Sequence, residues 1–274
     1  MSSGAPLLVG ASGWIGSGIE QVMPTKPCSA RSVLASNGAI LHEEAAESSV
    51  IINAGGARSG GQENLRRFNR ELPEILARFA ARTGVFVIHL GSASEYGFPS
   101  DAKRIAETAS TDPTSEYGRT KLAGTQAIQR DCNSVAFRIF NISHSPPQPG
   151  SPLADIAERV RMGIEANEDV KILSAETTRD WIDLEFLTSA ISWAAKEQVP
   201  GLFNVCSGVG ISMRQIVEES LRGLNADIGV NNLLQFPPNT VVGDPTQLRQ
   251  ASGISAQLDS ISIGGTIIRS LATN

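Results

Sequence analysis

The chain has 274 residues, of which 41% are hydrophobic and 19% charged, with a formal net charge of -5 and a pI near 5.3. That length suits one large domain, or one domain with a small second lobe, and it can bury a substantial core. The acidic balance, with no basic cluster denser than Arg66-Arg67, argues against a nucleic-acid partner, because phosphate backbones call for clustered Lys and Arg.

Leu7–Gly10 reads as a short apolar strand running into a glycine turn, and Trp14–Val22 as a helix ended by Pro24 and Pro27. Ser49–Ala54 is the next apolar strand. Asn64–Ala81 has helical periodicity, with Leu65, Phe68, Leu72, Ile75, Leu76 and Phe79 on one face. A buried-type strand at Val85–Leu90, a helix at Glu116–Gln129 and a strand at Val135–Phe140 follow. This alternation implies parallel βαβ units, hence an α/β fold of the Rossmann type with a doubly wound parallel sheet. The Pro/Gly-rich stretch Ser145–Pro152 marks a loop. Beyond it a helix is expected at Leu153–Ala166, a strand-like segment at Val170–Leu173, a helix at Leu184–Lys196, a strand at Asn204–Cys206 and a helix at Met213–Leu224. Residues 1–142, joined by about 181–206, are read as the dinucleotide-binding domain. Residues 143–180 and 207–274 are read as a smaller C-terminal substrate lobe.

No apolar run is long enough to span a bilayer, and no basic segment or cleavage signal precedes Leu7, so neither a membrane span nor a secretory peptide is expected. Cys28, Cys132 and Cys206 are odd in number and scattered, which suits a reducing, cytoplasmic setting. His42, His89 and His144 have no Cys partner at ligand spacing, and no metal site is expected.

The turn Gly10-Ala11-Ser12-Gly13-Trp14-Ile15-Gly16 has the spacing of a dinucleotide cradle. Gly10 allows a tight turn, Gly13 lets the backbone approach a pyrophosphate, and Gly16 lets the helix pack on the sheet. The helix N-terminus adds unpaired N–H groups and a positive dipole end. Gly10, Ser12, Gly13, Trp14, Ile15 and Gly16 therefore form the expected cofactor-binding turn, with the Trp14 ring itself read as packing. Residues 21–41 contain no Asp or Glu to grip a ribose 2′-OH. Arg31 and Ser32 stand there instead and could hold a 2′-phosphate, which favours NADPH and leaves NAD possible. The competing reading is that Arg31 is an exposed surface residue.

Tyr117 and Lys121 are four residues apart on an expected helix and so share a face. A tyrosine is a poor base at neutral pH, but a nearby ammonium favours the phenolate and makes the pair useful as acid or base. Ser92 follows the strand Val85–Leu90 at the edge of the sheet where ligands bind in open α/β folds, and its hydroxyl could hold the reacting oxygen. Taken alone, Ser92 could equally be a plain turn serine.

These residues together resemble the extended short-chain dehydrogenase/reductases, the NAD-dependent epimerase/dehydratase family acting on nucleotide-sugars. The resemblance includes the glycine turn, Asn53-Ala54-Gly55-Gly56-Ala57 after the fourth-strand position, Asn69, and Gly91-Ser92-Ala93-Ser94-Glu95-Tyr96-Gly97. It continues through Tyr117 to Lys121, Phe137–Asn141, Thr178–Asp183, Phe203–Gly208 and Val242–Arg249. It implies that Tyr117 is the acid/base, that Lys121 binds the nicotinamide ribose, and that Ser92 holds the sugar oxygen. It further implies that Asn69 steadies Lys121 through water, and that Ala54 and Gly55 border the cofactor. Ser94, Tyr96 and Asn141 would line the substrate pocket, and Arg179 would meet the substrate diphosphate. The bland readings of Asn69, Asn141 and Arg179 are helix capping, a strand-end hydrogen bond and a surface ion pair. The resemblance also implies a homodimer through the helices carrying Asn69 and Tyr117.

Departures narrow the activity. Sugar 4,6-dehydratases carry Asp-Glu after the residue matching Ser92, where this chain has Ala93-Ser94. Bifunctional 3,5-epimerase-reductases such as GDP-fucose synthase carry a Cys at the position of Ser94 and a His in the helix that matches Leu153–Ala166, which has none. Val241–Gly253 looks most like GDP-4-keto-6-deoxymannose reductases, but Phe236-Pro237-Pro238-Asn239 replaces their nucleotide-contacting Arg. Glu95 stands where the family usually has an apolar residue, and only solvent exposure suggests itself as the reason. Three functions remain: a nucleotide-sugar 4-ketoreductase, a 4-epimerase with tightly bound NAD, and a non-catalytic NADP-sensing protein on the same fold.

Overall fold

A computed structural model of the chain describes residues 4–98, 104–131 and 133–272; Cys132 lies outside them. In chain order the elements are β1 (Leu7–Val9), α1 (Trp14–Val22), β2 (Lys26–Cys28), α2 (Ala30–Ala35), α3 (Leu41–Glu44), β3 (Val50–Asn53) and α4 (Gly61–Arg66). A π-helical turn, Arg67–Glu71, runs into α5 (Leu72–Thr83). Then come β4 (Phe86–Leu90), a 3-10 turn at Ala93–Glu95, α6 (Glu116–Asp131), β5 (Ser134–Ile139), β6 (Asn141–Ser143), α7 (Pro152–Ala166) and β7 (Val170–Ile172). The chain ends with β8 (Thr178–Asp183), α8 (Leu184–Glu197), β9 (Gly201–Val205), β10 (Gly210–Ser212), α9 (Met213–Gly223), β11 (Val230–Asn232), β12 (Thr240–Val241), α10 (Thr246–Ser252) and α11 (Ser260–Ala272).

The main sheet has the order β2-β1-β3-β4-β5-β9, and every neighbouring pair is parallel. The chain turns back between β1 and β3, which opens a crevice at the C-terminal ends of the strands. β1, β3 and β4 are buried along their whole length, as strands covered on both faces must be. Ile19 of α1 and Leu184, Leu187 and Ile191 of α8 cover one face; Val33, Leu72, Leu76, Phe79 and Ile128 of α2, α5 and α6 cover the other. Burying Ile51, Ile52, Val87 and Ile88 completely contributes about 1.5–3 kcal/mol for each side chain. The fold is thus a Rossmann-like α/β sandwich.

A second cluster gathers Leu153, Val160, Trp181, Ile216, Val217, Ile263 and Ile267 from α7, β8, α9 and α11. There β8 pairs with β10 antiparallel and with β6 and β12 in parallel, and it runs unbroken from residue 178 to 183. The cut expected after residue 180 would fall inside that strand.

The structure adds elements that periodicity did not reveal: strands β2, β6, β8, β10, β11 and β12, and helices α2, α3, α10 and α11. The strand followed by Asn53–Ala57 is the third in chain order, not the fourth. The helix expected at Asn64–Ala81 is interrupted by its π turn. Pro73 explains the interruption: it has no N–H to give, and its ring crowds the carbonyl of Asn69 four residues earlier. That carbonyl faces α6 instead, where a Cβ at Gly124 would lie 2.2 Å from Asn69 O.

Candidate functional site

A cleft of about 300 Å³ opens at the C-terminal edge of the sheet. One wall is the glycine turn. Gly10 has φ +90°, and a Cβ there would lie 2.6 Å from the Gly55 nitrogen; a Cβ at Gly16 would lie 2.2 Å from Gly10 O. Only glycines permit this approach of two backbones. Gly13, Trp14 and Ile15 line the cleft beside Ala54 and Gly55, while Gly10 and Gly16 lie behind it. Gly13 has no side chain to cap α1, so the N–H groups of its first turn remain available to an anionic ligand. The Trp14 indole N–H donates to Pro146 O at 3.2 Å, and its ring meets His144 edge-on at 5.6 Å. Ser12 is exposed.

A second layer holds this wall. Asn53 Oδ1 accepts from the Gly55 N–H at 3.2 Å, so its amide NH2 faces His89 Nδ1 at 3.0 Å. His89 Nδ1 must then be the acceptor and Nε2 carries the proton. Burial, seconded by the Lys121 charge, holds His89 well below its ordinary value.

Ser92, Ser94, Tyr117 and Lys121 line the same cleft. Ser92 caps the turn after β4, accepting from the Ser94 N–H at 3.2 Å. Tyr117 and Lys121 project from the first turns of α6; Lys121 is 5% exposed, and its Nζ donates to Leu90 O. Asn69 sits in the π turn, fully buried. Its Oδ1 accepts from the Ala57 N–H and its Nδ2 donates to Ala57 O, both at 2.8 Å, and Nδ2 also reaches the Thr120 hydroxyl at 3.2 Å. It therefore ties the Gly55–Ala57 loop to α6 beside Lys121.

Asn141 lines the far end of the cleft, with its Nδ2 donating to Asp180 O at 3.0 Å. Arg179 lies there too, donating to the carbonyls of Thr178 and Asn239, with its guanidinium 5.8 Å from the centre of the exposed Phe98 ring. Burial pulls Arg179 down to about 10, so it remains a cation at neutral pH. It is not the surface ion pair of the bland reading.

Tyr96 is not brought to the cleft. Its ring is 1% exposed and its hydroxyl donates to Asn204 Oδ1 at 2.7 Å; burial pushes it up to about 12. Arg31 and Ser32 are also away from the cleft wall. They lie in the first turn of α2 just past β2, where Ser29 accepts from the Ser32 N–H; Arg31 is exposed and forms no ion pair among the described residues. The exposure expected for Glu95 is overturned, since it is completely buried in a salt bridge with Arg138.

The matching family model covers residues 7–206. The chain belongs to the NAD dependent epimerase/dehydratase family. This family member is 29% identical over 180 residues to dTDP-6-deoxy-L-talose 4-dehydrogenase (NAD(P)(+)) of Kitasatospora kifunensis, a match covering 61% of the chain and 56% of the relative. It is 25% identical over 203 residues to UDP-arabinose 4-epimerase 1 of Arabidopsis thaliana, covering 64% and 48%. The chain thus spans about half the length of the curated relatives it matches. Among solved structures, RMD from Pseudomonas aeruginosa complexed with NADPH superposes with a TM-score of 0.81 at 18% identity, covering 98% of this chain and 99% of that one. At that identity the likeness concerns the fold.

Two features of the site escaped the sequence. Arg58, directly after the Asn53–Ala57 motif, lines the cleft with its guanidinium 5.5 Å from the centre of the Tyr117 ring; a cation closing a glycine-rich loop was the available signal. Asp180, fully buried, accepts from the Ser207 N–H and hydroxyl, the Gly208 N–H and the Gly243 N–H. It pins the strand carrying Arg179 to two distant segments. Among the described residues lining the cleft there are three cations, Arg58, Lys121 and Arg179, and no carboxylate, imidazole or thiol. A chain of net charge -5 has therefore gathered positive charge where its cleft lies, which favours anionic ligands.

Proposed function

We propose that the chain binds NADPH against the glycine turn and reduces the 4-keto group of a nucleotide-linked deoxysugar, with Tyr117 as the proton donor. The observation that carries this reading is that Ser92, Tyr117 and Lys121 line the same cleft as Gly13, Trp14 and Ile15 of the glycine turn. The cradle fits a dinucleotide: its glycines leave no room for a Cβ, and the uncapped turn of α1 and Arg58 offer donors to a pyrophosphate. Bound there, the cofactor supplies the hydride.

The chain's own residues manage the oxygen and its proton. Ser92 hydrogen-bonds the substrate carbonyl. The Tyr117 hydroxyl gives its proton to that oxygen as negative charge develops on it, and the Lys121 ammonium stabilises the phenolate left behind. Asn69 holds the Ala57 loop against α6, so that Lys121 keeps its place. Arg179 and Asn141 face the diphosphate of the substrate. The relative named as a 4-dehydrogenase supports C4 as the reacting carbon. The cleft has no carboxylate, imidazole or thiol among its described lining residues, so Tyr117 is its proton carrier, and neither dehydration nor ring epimerisation next to the carbonyl has an acid or base of its own. The second reading, a 4-epimerase retaining NAD, is supported by the similarity to UDP-arabinose 4-epimerase 1 and uses the same residues.

Absorbance of NADPH, followed with a panel of nucleotide-linked 4-keto-6-deoxy sugars, tests the reading. Oxidation with one nucleotide class, falling about 10²–10⁴-fold in Tyr117→Phe, supports the reductase. No oxidation, with NAD released on denaturation, supports the epimerase. The same assay addresses Arg31 and Ser32, which we assign to the 2′-phosphate: Arg31→Glu is expected to reverse the preference for NADPH over NADH, and an unchanged preference removes the assignment.

A further inference from the structure

Ser92 and Tyr117 must keep a fixed separation if both are to meet one oxygen, yet they stand on different elements. A single carboxylate spans those elements. Glu95 Oε1 accepts from the Ser92 N–H at 2.9 Å and from the Thr125 hydroxyl at 2.8 Å, and Oε2 accepts from Arg138 Nε at 2.9 Å. Thr125 lies one helical turn beyond Lys121 on the helix that Tyr117 opens. The fit around the carboxylate is close: a Cβ at Gly91 would lie 2.6 Å from Glu95 Oε1 and 2.9 Å from Thr125 Oγ1. Arg138 is itself gripped from its other side, its guanidinium 4.3 Å from the centre of the Tyr96 ring.

We infer that Glu95 is the positioning residue of the candidate site, its buried carboxylate fixing the Ser92 hydroxyl against the face of α6 that carries Tyr117 and Lys121. The inference rests on the oxidoreductase reading above. Glu95 does not line the cleft, so it acts through Ser92 and touches no ligand. Charge-assisted bonds within its own turn and to two further elements, α6 and β5, make the tie short and directional.

The experiment separates positioning from simple stabilisation. Turnover, KM and dinucleotide affinity are measured for the wild type, Tyr117→Phe, Glu95→Gln, Thr125→Val and the double variant Glu95→Val/Arg138→Met. The double variant removes both charges together and so avoids stranding either in the interior. It is expected to fold with KM and dinucleotide affinity unchanged, while kcat falls about 100-fold through misplacement of Ser92. Glu95→Gln keeps an oxygen for Ser92 and Thr125 but turns an NH2 toward Arg138; its stability should fall, while the folded protein should recover much of the lost kcat. Thr125→Val cuts only the tie to α6, and serves if the double variant does not fold; a fall in kcat at constant KM is expected. If Tyr117→Phe turns over like the wild type, the oxidoreductase reading itself fails. If Tyr117→Phe is inactive but the folded Glu95 and Thr125 variants keep the wild-type kcat, the positioning role alone is overturned.

Discussion

Glu95 and Asp180 are both completely buried carboxylates, and they are held by different means. Glu95 faces a cation. Burial works against the Arg138 charge, but the Glu95 carboxylate and the Tyr96 phenol group hold the guanidinium above its ordinary value. Asp180 makes no salt bridge among the described residues; three backbone N–H groups and one hydroxyl donate to it. Burial outweighs those donors and pushes Asp180 up to about 6. Dipoles organise the buried Asp180 carboxylate without matching the cost of its burial, and so leave it sensitive to pH. The same contrast divides the labour: the paired carboxylate braces the wall with the reacting groups, and the dipole-bound one braces the strand carrying Arg179.

Substitutions can break that contrast. Arg138→Leu strands the Glu95 charge in the interior and is expected to cost about 3–5 kcal/mol, read as a shift in the urea midpoint. Asp180→Asn turns an NH2 toward an N–H donor and should cost less, about 1–3 kcal/mol. It also carries a pH signature. The folded-state value of about 6 lies above the ordinary 3.8, so this group stabilises the fold most below 3.8, and that contribution is lost as pH rises through about 6. Stability measured across that window should fall with pH more steeply in the wild type than in Asp180→Asn; equal slopes would contradict the shift. At the far end, Arg161→Ala removes exposed pairs with Glu158 and Glu165 and should leave the midpoint unmoved.

What could be read from the sequence follows the range of the interactions. The glycine turn, the apolar strands and the Tyr117–Lys121 pair are patterns a few residues long, and the fold and the two cleft walls follow from them. Glu95 was legible only as an anomaly, because its partners Thr125 and Arg138 lie 30 and 43 residues away. The pocket role of Tyr96 is what the family resemblance implies, and nothing near it in the sequence points to its hydroxyl partner Asn204, 108 residues away. α11 went unnoticed because Gly264-Gly265 lowers its helical propensity. Gly264 is there for packing: a Cβ would lie 2.9 Å from Glu219 Cβ on α9.

The π turn leaves the site with an unusual dependence on a residue that touches no ligand. Asn69 makes its bonds to Ala57 and Thr120 from a widened coil, and the widening originates in what Pro73 lacks. A helix made regular by giving residue 73 an amide proton would draw the Asn69 carbonyl back into its own ladder and wind the coil tighter. The carboxamide would then swing about the helix axis, away from the loop it clasps. The irregularity acts as a phase adjustment along one helix: Leu72 and Leu76 face the sheet while Asn69, from the widened turn, faces the Gly55–Ala57 loop.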